Sequence, residues 1–529
     1  MLYSINQPAR KANVMSKPAK LPIGIQDFAE LRNGGYVYVD KTQPIQRLLT
    51  ASKYYFLSRP RRFGKSLTLS TIKCIYQGKR ELFEGLWIED QWDWTQTNPV
   101  IFFSINKLDY QGVGLEAALQ QAVLSAATEY QITLKGNTLK SQFSELLEAV
   151  ATQHGKVVLL IDEYDKPLID YLDNMSLAKT HQQIMKTFYS VLKDSDPYLQ
   201  FMIITGVSKF TKVSIFSDLN HLFDLTLARE AVALTGYTQT ELEHYFQDYI
   251  HEVADYLDLT PPALLEKLRI WYNGYSWDGR TRVYNPFSIL NFFRAGDFRN
   301  FWFETGTPTF LLKLLREQHL YKLDNLEVNE RSFSSYDIEY LQALPILFQT
   351  GYLTIKARHG YGLYTLDYPN NEVRESLLDY IISDLRHLHT PLTTPMVLDL
   401  QQAFVGNNLE QVISLVKSIF KTIPSHIFIK EAESYYHSLI YLVFFYLGQY
   451  TESEVNTNNG RLDCVVKTPT HIYVIEFKLN RSADEALQQI KDKGYAEKYR
   501  ADPRPKVLVG INFSSELKTV EGWQSELLN

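Results

Sequence analysis

Residues Arg59-Pro60-Arg61-Arg62-Phe63-Gly64-Lys65-Ser66 stand between an apolar, β-rich run at 54–57 and a helix-compatible run at 67–70. A strand that enters a helix through Gly-Lys-Ser is the second half of a phosphate-binding loop, and it commits the chain to an α/β sheet with ligands at one edge. Backbone N–H groups and a helix N-terminus would cradle phosphate oxygens, Lys65 would place a point charge on the outer phosphates, and the Ser66 hydroxyl would reach a metal. Arg62, Phe63, Gly64 and Leu67 complete the expected nucleotide-contacting stretch. The general pattern asks for glycine where Arg59 stands. Arg59 and Pro60 therefore predict a different loop entry or weaker binding. The competing reading is a plain helix start with an exposed lysine.

A second apolar run, residues 157–161, ends in Asp162-Glu163 about a hundred residues later. A carboxylate at the end of a buried strand suits Mg²⁺ held through water, so Asp162 is the expected metal residue and Glu163 the residue that polarises the attacking water. Further strands are expected at 100–105 and 201–205, the latter followed by Gly206-Val207-Ser208. Helical stretches alternate with these strands between about residues 21 and 235, as in a parallel sheet covered on both faces. Ser208 is then a candidate γ-phosphate sensor, with a simple turn serine as the alternative. Lys65 and Asp162 should lie within reach of one phosphate and its metal.

A chain of 529 residues exceeds one hydrophobic core, so two or three domains are expected. The division is a flexible, basic leader at 1–20, a nucleotide-binding domain at 21–235, a helical lid or connector at 236–400, and a small α/β domain at 401–529. Many of the 35 tyrosines and 29 phenylalanines fall in the middle region, where aromatic packing around Asn-Gly and Asn-Pro turns is the expected use. Two cysteines, Cys74 and Cys464, lack both a disulfide framework and metal-ligand spacing, which fits a reducing cytoplasm. The longest apolar run, 439–447, is too short to span a bilayer, so no membrane partner is expected. A net charge of −6 argues against a general polyanion binder and confines any nucleic-acid surface to a local groove.

In the last domain, runs at 451–455, 460–466 and 471–478, with a turn at 468–470, read as a β-hairpin flanked by helices. Alternation along a strand puts Glu476 and Lys478 on one face, and a turn near Pro469 brings Asp463 opposite or diagonal to Glu476. Two carboxylates and an ammonium at one spot suit phosphodiester hydrolysis. Asp463 and Glu476 would ligate Mg²⁺ with a backbone carbonyl, while Lys478 orients or deprotonates the water. A solvated salt-bridge face is the alternative. Glu454 lies nearby in sequence, Glu433 and His437 share an upstream helix face, and a helix beginning near Ala486 offers Gln489. Basic residues Arg461, Arg481, Lys491 and Lys493 are expected to line a phosphate-contacting groove.

Taken with Pro22-Ile23-Gly24, Tyr38-Val39-Asp40-Lys41-Thr42, Asp162-Glu163-Tyr164-Asp165 and Thr205-Gly206-Val207-Ser208-Lys209-Phe210, these motifs resemble a bacterial family of AAA-ATPase-like proteins with a C-terminal PD-(D/E)XK nuclease domain. In that family the Arg-Pro-Arg-Arg-Phe-Gly-Lys-Ser form is the usual one. The resemblance implies ATP bound by Lys65 and Ser66, with Asp162 and Glu163 as the Mg²⁺ and water residues. It further implies a metal at Asp463 and Glu476, catalysis by Lys478, and helper roles for Glu433 and Gln489. The expected function is ATP-dependent or ATP-regulated nucleic-acid cleavage, with DNA the expected partner ahead of RNA and homo-oligomerisation left open. A nucleotide-switched protein that grips nucleic acid or protein without cutting is the rival, and the intact Asp463, Glu476 and Lys478 favour the enzyme.

Overall fold

The computed structural model describes residues 19–209, 221–302, 309–318, 320, 323–334, 341–385, 393–422, 451–457 and 460–528. Residues 1–18 of the expected leader, Phe210, Glu433, His437 and the apolar run at 439–447 lie outside the described residues. The four expected strands, β1 (Tyr54–Ser58), β2 (Val100–Ser104), β3 (Val157–Asp162) and β4 (Leu199–Gly206), form a parallel sheet joined by a short fifth strand that was not expected, β5 (Phe223–Asp224), in spatial order β2-β3-β4-β1-β5. All pairings are parallel. Insertion of β4 between β1 and β3 brings three strand ends to one edge: the phosphate loop after β1, Asp162 on β3, and residues 205–208 on β4.

Period-two burial explains why these runs are apolar throughout. Phe56, Phe103, Leu159, Ile161 and Ile204 face the helices Leu115–Glu129, Leu139–His154 and Met175–Ser190. Their neighbours Tyr55, Leu57, Val158, Leu160 and Ile203 face the helices Thr42–Ala51 and Lys65–Tyr76 on the other side. Each such side chain contributes about 1.5–3 kcal/mol when withdrawn from water, so both faces must be covered.

The middle of the chain is mainly helical but also carries a three-stranded antiparallel sheet of β6 (Leu326–Asn329), β7 (Thr354–Arg358) and β8 (Leu363–Asp367), in spatial order β6-β8-β7. These strands are short and bounded by polar residues, which hid them in the sequence. The region packs directly on the phosphate loop. Phe63 meets Tyr275 at 4.7 Å and Trp277 at 5.6 Å between ring centroids, Trp302 donates its indole N–H to the Arg61 carbonyl, and Gly236 N–H bonds the Phe63 carbonyl.

The C-terminal sheet runs β13-β12-β11-β10-β9, comprising β9 (Thr451–Thr457), β10 (Gly460–Lys467), β11 (Ile472–Leu479), β12 (Lys506–Ser514) and β13 (Thr519–Leu528). Only β11 and β12 pair in parallel. The helix that packs on β11 and β12 begins at Ala483, three residues before the expected start, because the Ser482 side chain caps it at the Glu485 N–H.

Arg59 supplies the physical reason for the departure from glycine. The left-handed residues of the loop are Arg62 (φ 68°) and Gly64 (φ 88°), and Arg59 is not among them. Its guanidinium is fully buried, donates to the carbonyls of Ser58, Thr226 and Ala231, and lies 3.9 Å from the Trp277 ring. Placing glycine there would strand three carbonyls and open a cavity, so Arg59→Gly should destabilise the protein by on the order of 3 kcal/mol. Urea denaturation of the two proteins measures this difference; equal midpoints would show that the guanidinium is not a clamp.

Candidate nucleotide and metal sites

The Lys65–Tyr76 helix starts from Gly64, which brings no side-chain cap, so its first-turn N–H groups face the loop unsatisfied by a side chain. Lys65 is buried, and its amine donates to the carbonyls of Arg59 and Pro60 at 2.9 and 3.0 Å. It pairs with no carboxylate within ion-pair distance among the described residues. Burial lowers its pKa, against the opposing pull of Asp162, Glu163 and Asp165. An ammonium curled over its own loop, beside open helix N–H groups, is an anion site in waiting.

Ser66 and Asp162 are in direct contact, with Oγ donating to Oδ2 at 2.5 Å, and Thr205 donates to the other carboxylate oxygen at 2.6 Å. The structure thus brings Ser66 and Asp162 together, with Lys65 in the field of the Asp162 carboxylate. Glu163 follows in a left-handed conformation, φ 54°, half-buried, with its pKa raised chiefly by burial while Lys65 and Arg61 oppose the rise. Arg61, not singled out in the sequence, thus shares the field of Lys65 and Glu163. Arg62 turns its guanidinium towards the Phe287 ring, 5.1 Å away. Phe63 and Leu67 border an apolar cavity of about 60 Å³ beside Gly64, together with Val39, Leu234 and Tyr237.

Ser208 is buried at the end of β4. Its N–H donates to Asp165, and its carbonyl accepts from the Tyr164 hydroxyl at 3.0 Å. Asp165 also accepts from the Val207 N–H, which makes it the brace between the ends of β3 and β4. Sequence reasoning passed over Asp165, although its position three residues beyond Asp162 on a tight turn was the available signal.

Burial pushes the Asp165 carboxyl up from 3.8 to about 6, against the pull of the Ser208 N–H and Lys65. The folded state therefore holds a proton that the unfolded chain releases, and stability falls as pH rises between these two values. The full penalty is on the order of 3 kcal/mol above the window and absent below it. Asp165→Asn keeps an acceptor oxygen and removes the charge, so its thermal stability relative to wild type should rise between pH 4 and 6 and level off above. Melting curves across pH 4–8 test this; a constant difference would sink the argument.

In the C-terminal sheet, the pairing of Cys464 with Ile475 sets Asp463 opposite Glu476. The Asp463 carboxylate accepts from the Phe477 N–H at 2.9 Å. Lys478 approaches Glu476 at 3.4 Å, and Gln489 donates its side-chain amide to the same Glu476 oxygen. Four of the five expected nuclease residues are thus brought together. Gly510, paired with Glu476 on β12, makes the approach of Gln489 possible, because a Cβ there would lie 2.3 Å from the Ala483 carbonyl.

Glu476 is 2 % exposed, and burial, with Asp463 beside it, pushes its carboxyl up to about 7 while Lys478 pulls it down. Its second oxygen, Oε2, is buried without a hydrogen-bond partner among the described residues. A desolvated, unpartnered carboxylate oxygen next to a second carboxylate is what a divalent cation would satisfy, and the all-oxygen donor set suits Mg²⁺ or Mn²⁺. No cluster of three or more histidine, cysteine or acidic ligands occurs among the described residues. Of the expected basic groove, Lys491 is paired with Glu526 at 2.5 Å and Arg481 loosely with Glu485, while Lys493 is exposed. Partner carboxylates offset part of that positive charge.

Two family descriptions match the chain: a predicted AAA-ATPase over residues 22–216, and the PD-(D/E)XK nuclease superfamily over residues 431–523. A protein described as uncharacterised, from the vnfD 5′ region of Azotobacter chroococcum mcd 1, is 38 % identical over 529 residues, covering 96 % of this chain and 99 % of that one. Among solved structures, the Orc1 protein of Aeropyrum pernix in complex with DNA aligns at 11 % identity with a TM-score of 0.26, covering 67 % of this chain and 97 % of that one. No helix among the described residues is long and apolar enough to cross a membrane. The phosphate loop on its parallel sheet, the acidic pair on its mixed sheet, and the full-length relative agree, and the chain belongs to the AAA-ATPase-like family that carries a C-terminal PD-(D/E)XK nuclease superfamily domain.

Proposed function

We propose that this protein binds and hydrolyses ATP at the phosphate loop, and that this controls Mg²⁺-dependent cleavage of DNA at Asp463, Glu476 and Lys478. The observation that carries the reading is the buried, unpartnered Oε2 of Glu476, set among Asp463, Lys478 and Gln489. A salt-bridge face exposed to solvent would not pay the burial cost of a carboxylate and leave one oxygen unmatched.

At the first site, Lys65 would leave the Arg59 and Pro60 carbonyls for the outer phosphates, Ser66 and Asp162 would hold the metal side of the polyphosphate, and Glu163 would orient and polarise water. The raised pKa of Glu163 suits a group that must accept a proton. Ser208, carried by Asp165, is the proposed sensor of the terminal phosphate. The apolar cavity beside Gly64 would receive an edge of the base. At the second site, Asp463 and Glu476 would hold the ion, Gln489 would fix the orientation of Glu476, and Lys478 would position the attacking water. Bound Mg²⁺ supplies water activation and neutralises the charge that develops on the phosphodiester. The two buried free cysteines, Cys74 and Cys464, suit work in a reducing cytoplasm.

Lys65→Ala should weaken ATP binding at least tenfold, whereas Glu163→Gln should keep binding and lower hydrolysis by about 10²–10³-fold, since only the second removes water activation. Fluorescent-nucleotide titration and phosphate release separate the two effects. Equal ATP affinity in wild type and Lys65→Ala would reject the site.

Asp463→Ala should abolish cleavage of linear, circular or single-stranded DNA while leaving ATP hydrolysis intact. Incubation with each DNA form, with and without ATP and Mg²⁺, provides the assay. Binding of DNA without cutting by wild type would transfer the reading to the nucleotide-switched binding protein.

A further inference from the structure

A cavity of about 370 Å³ opens in the middle region, away from both sites, between the end of the Pro261–Tyr272 helix, β7 and the start of the Asn371–Leu385 helix. That volume falls in the range of small-molecule pockets. The walls are charged: Arg269, Arg282, Lys356 and Arg374 line it, against the carboxylates of Asp324 and Asp367. Arg269 is already engaged by Glu266. Arg282 stands exposed at the mouth with no hydrogen bond or ion pair among the described residues.

Lys356 is held on the Pro369 carbonyl at 2.8 Å rather than on a carboxylate. Burial lowers its pKa to about 8; Asp367 opposes the fall, while Arg282 and Arg374 add to it, so the three cations repel one another across the cavity. A bound anion would relieve that repulsion. The helix start points the same way. Asn370 spends its side-chain oxygen capping the Val373 N–H, which leaves its amide nitrogen without a partner among the described residues although the residue is only 8 % exposed. The cavity thus offers an unpartnered donor, two guanidinium groups, an ammonium and the N-terminus of a 15-residue helix.

We propose that this pocket binds a small phosphomonoester that carries sugar hydroxyls. The phosphate is matched by Lys356, Arg282, Arg374 and the Asn370 amide, and the hydroxyls by the carboxylates of Asp324 and Asp367. Guanidinium forks engage two oxygens of a phosphate at once, and carboxylates accept from hydroxyls. Gly274 closes one wall against the Pro369 carbonyl, where a Cβ would lie 2.1 Å away, and leads directly into Tyr275, which stacks edge-on against Phe63 of the phosphate loop. The site is independent of the proposed ATPase and nuclease assignments.

Calorimetric titration of the full chain with ribose 5-phosphate tests the proposal, with ribose as the control that lacks phosphate. Saturable binding is expected for ribose 5-phosphate alone, unchanged in Lys65→Ala and weakened at least about tenfold in Lys356→Met and in Arg282→Gln. Arg282 is exposed, so its replacement reports even if Lys356→Met fails to fold. Absence of saturable binding overturns the proposal. So does an affinity lost in Lys65→Ala and kept in Arg282→Gln, which would put the ligand on the phosphate loop.

Discussion

Taking the guanidinium of Arg59 out of water costs several kcal/mol unless carbonyls and an aromatic face replace its hydration, and the loop is built around that requirement. Carbonyls come from Ser58 at the end of β1 and from Thr226 and Ala231 beyond β5, and the aromatic face from Trp277 in the middle region. One side chain therefore fixes the loop entry, the edge of the sheet and the region packed over it. Even so, burial pulls the Arg59 pKa down to about 9 against the pull of Asp224, and its Nε has no hydrogen-bond partner among the described residues. Left-handed geometry, supplied in the general motif by an early glycine, moves here to Arg62 and Gly64.

Both candidate centres follow one pattern: an ionisable group is buried, Lys65 at the first turn of a helix and Glu476 within β11, with no partner of opposite charge to match it fully. Lys65 lies on carbonyls of its own loop, where an anion would find it already dehydrated. Glu476 has one oxygen occupied by Lys478 and Gln489 and the other unmatched. Such arrangements cost stability in the empty protein and return it when a ligand of opposite charge arrives. Groups with this imbalance mark functional positions more reliably than charge alone. The middle-region cavity, with its unpartnered Asn370 amide and mutually repelling cations, shows the same imbalance.

Packing also sets how the sites can communicate. Phe63, Arg61 and Arg59 each touch a different aromatic residue or indole N–H of the middle region, so a shift of the loop cannot leave Tyr275, Trp277 and Trp302 undisturbed. Close-packed interiors transmit such shifts because they lack room to absorb them. The segment 273–277 runs from the charged cavity to the loop without leaving the protein interior.

Local sequence determined much of this. Strand β1, the turn at Gly64, the helix after it and the apolar run into Asp162 are contiguous patterns whose period and punctuation state their own conformation. The alternation of Glu476 and Lys478, and a two-strand turn at Pro469, likewise bring Asp463 opposite or diagonal to Glu476, and the register of β10 on β11 makes it opposite. Tertiary structure decided the rest, because it depends on partners far along the chain. The role of Arg59 needed Thr226, Ala231 and Trp277; the brace at Asp165 needed β4 to lie beside β3; and the reach of Gln489 needed Gly510 on a strand that follows it. The sheet of β6, β7 and β8, and the cavity it helps to wall, left no periodic signal, since short strands with polar neighbours are defined by what they pair with rather than by their own residues.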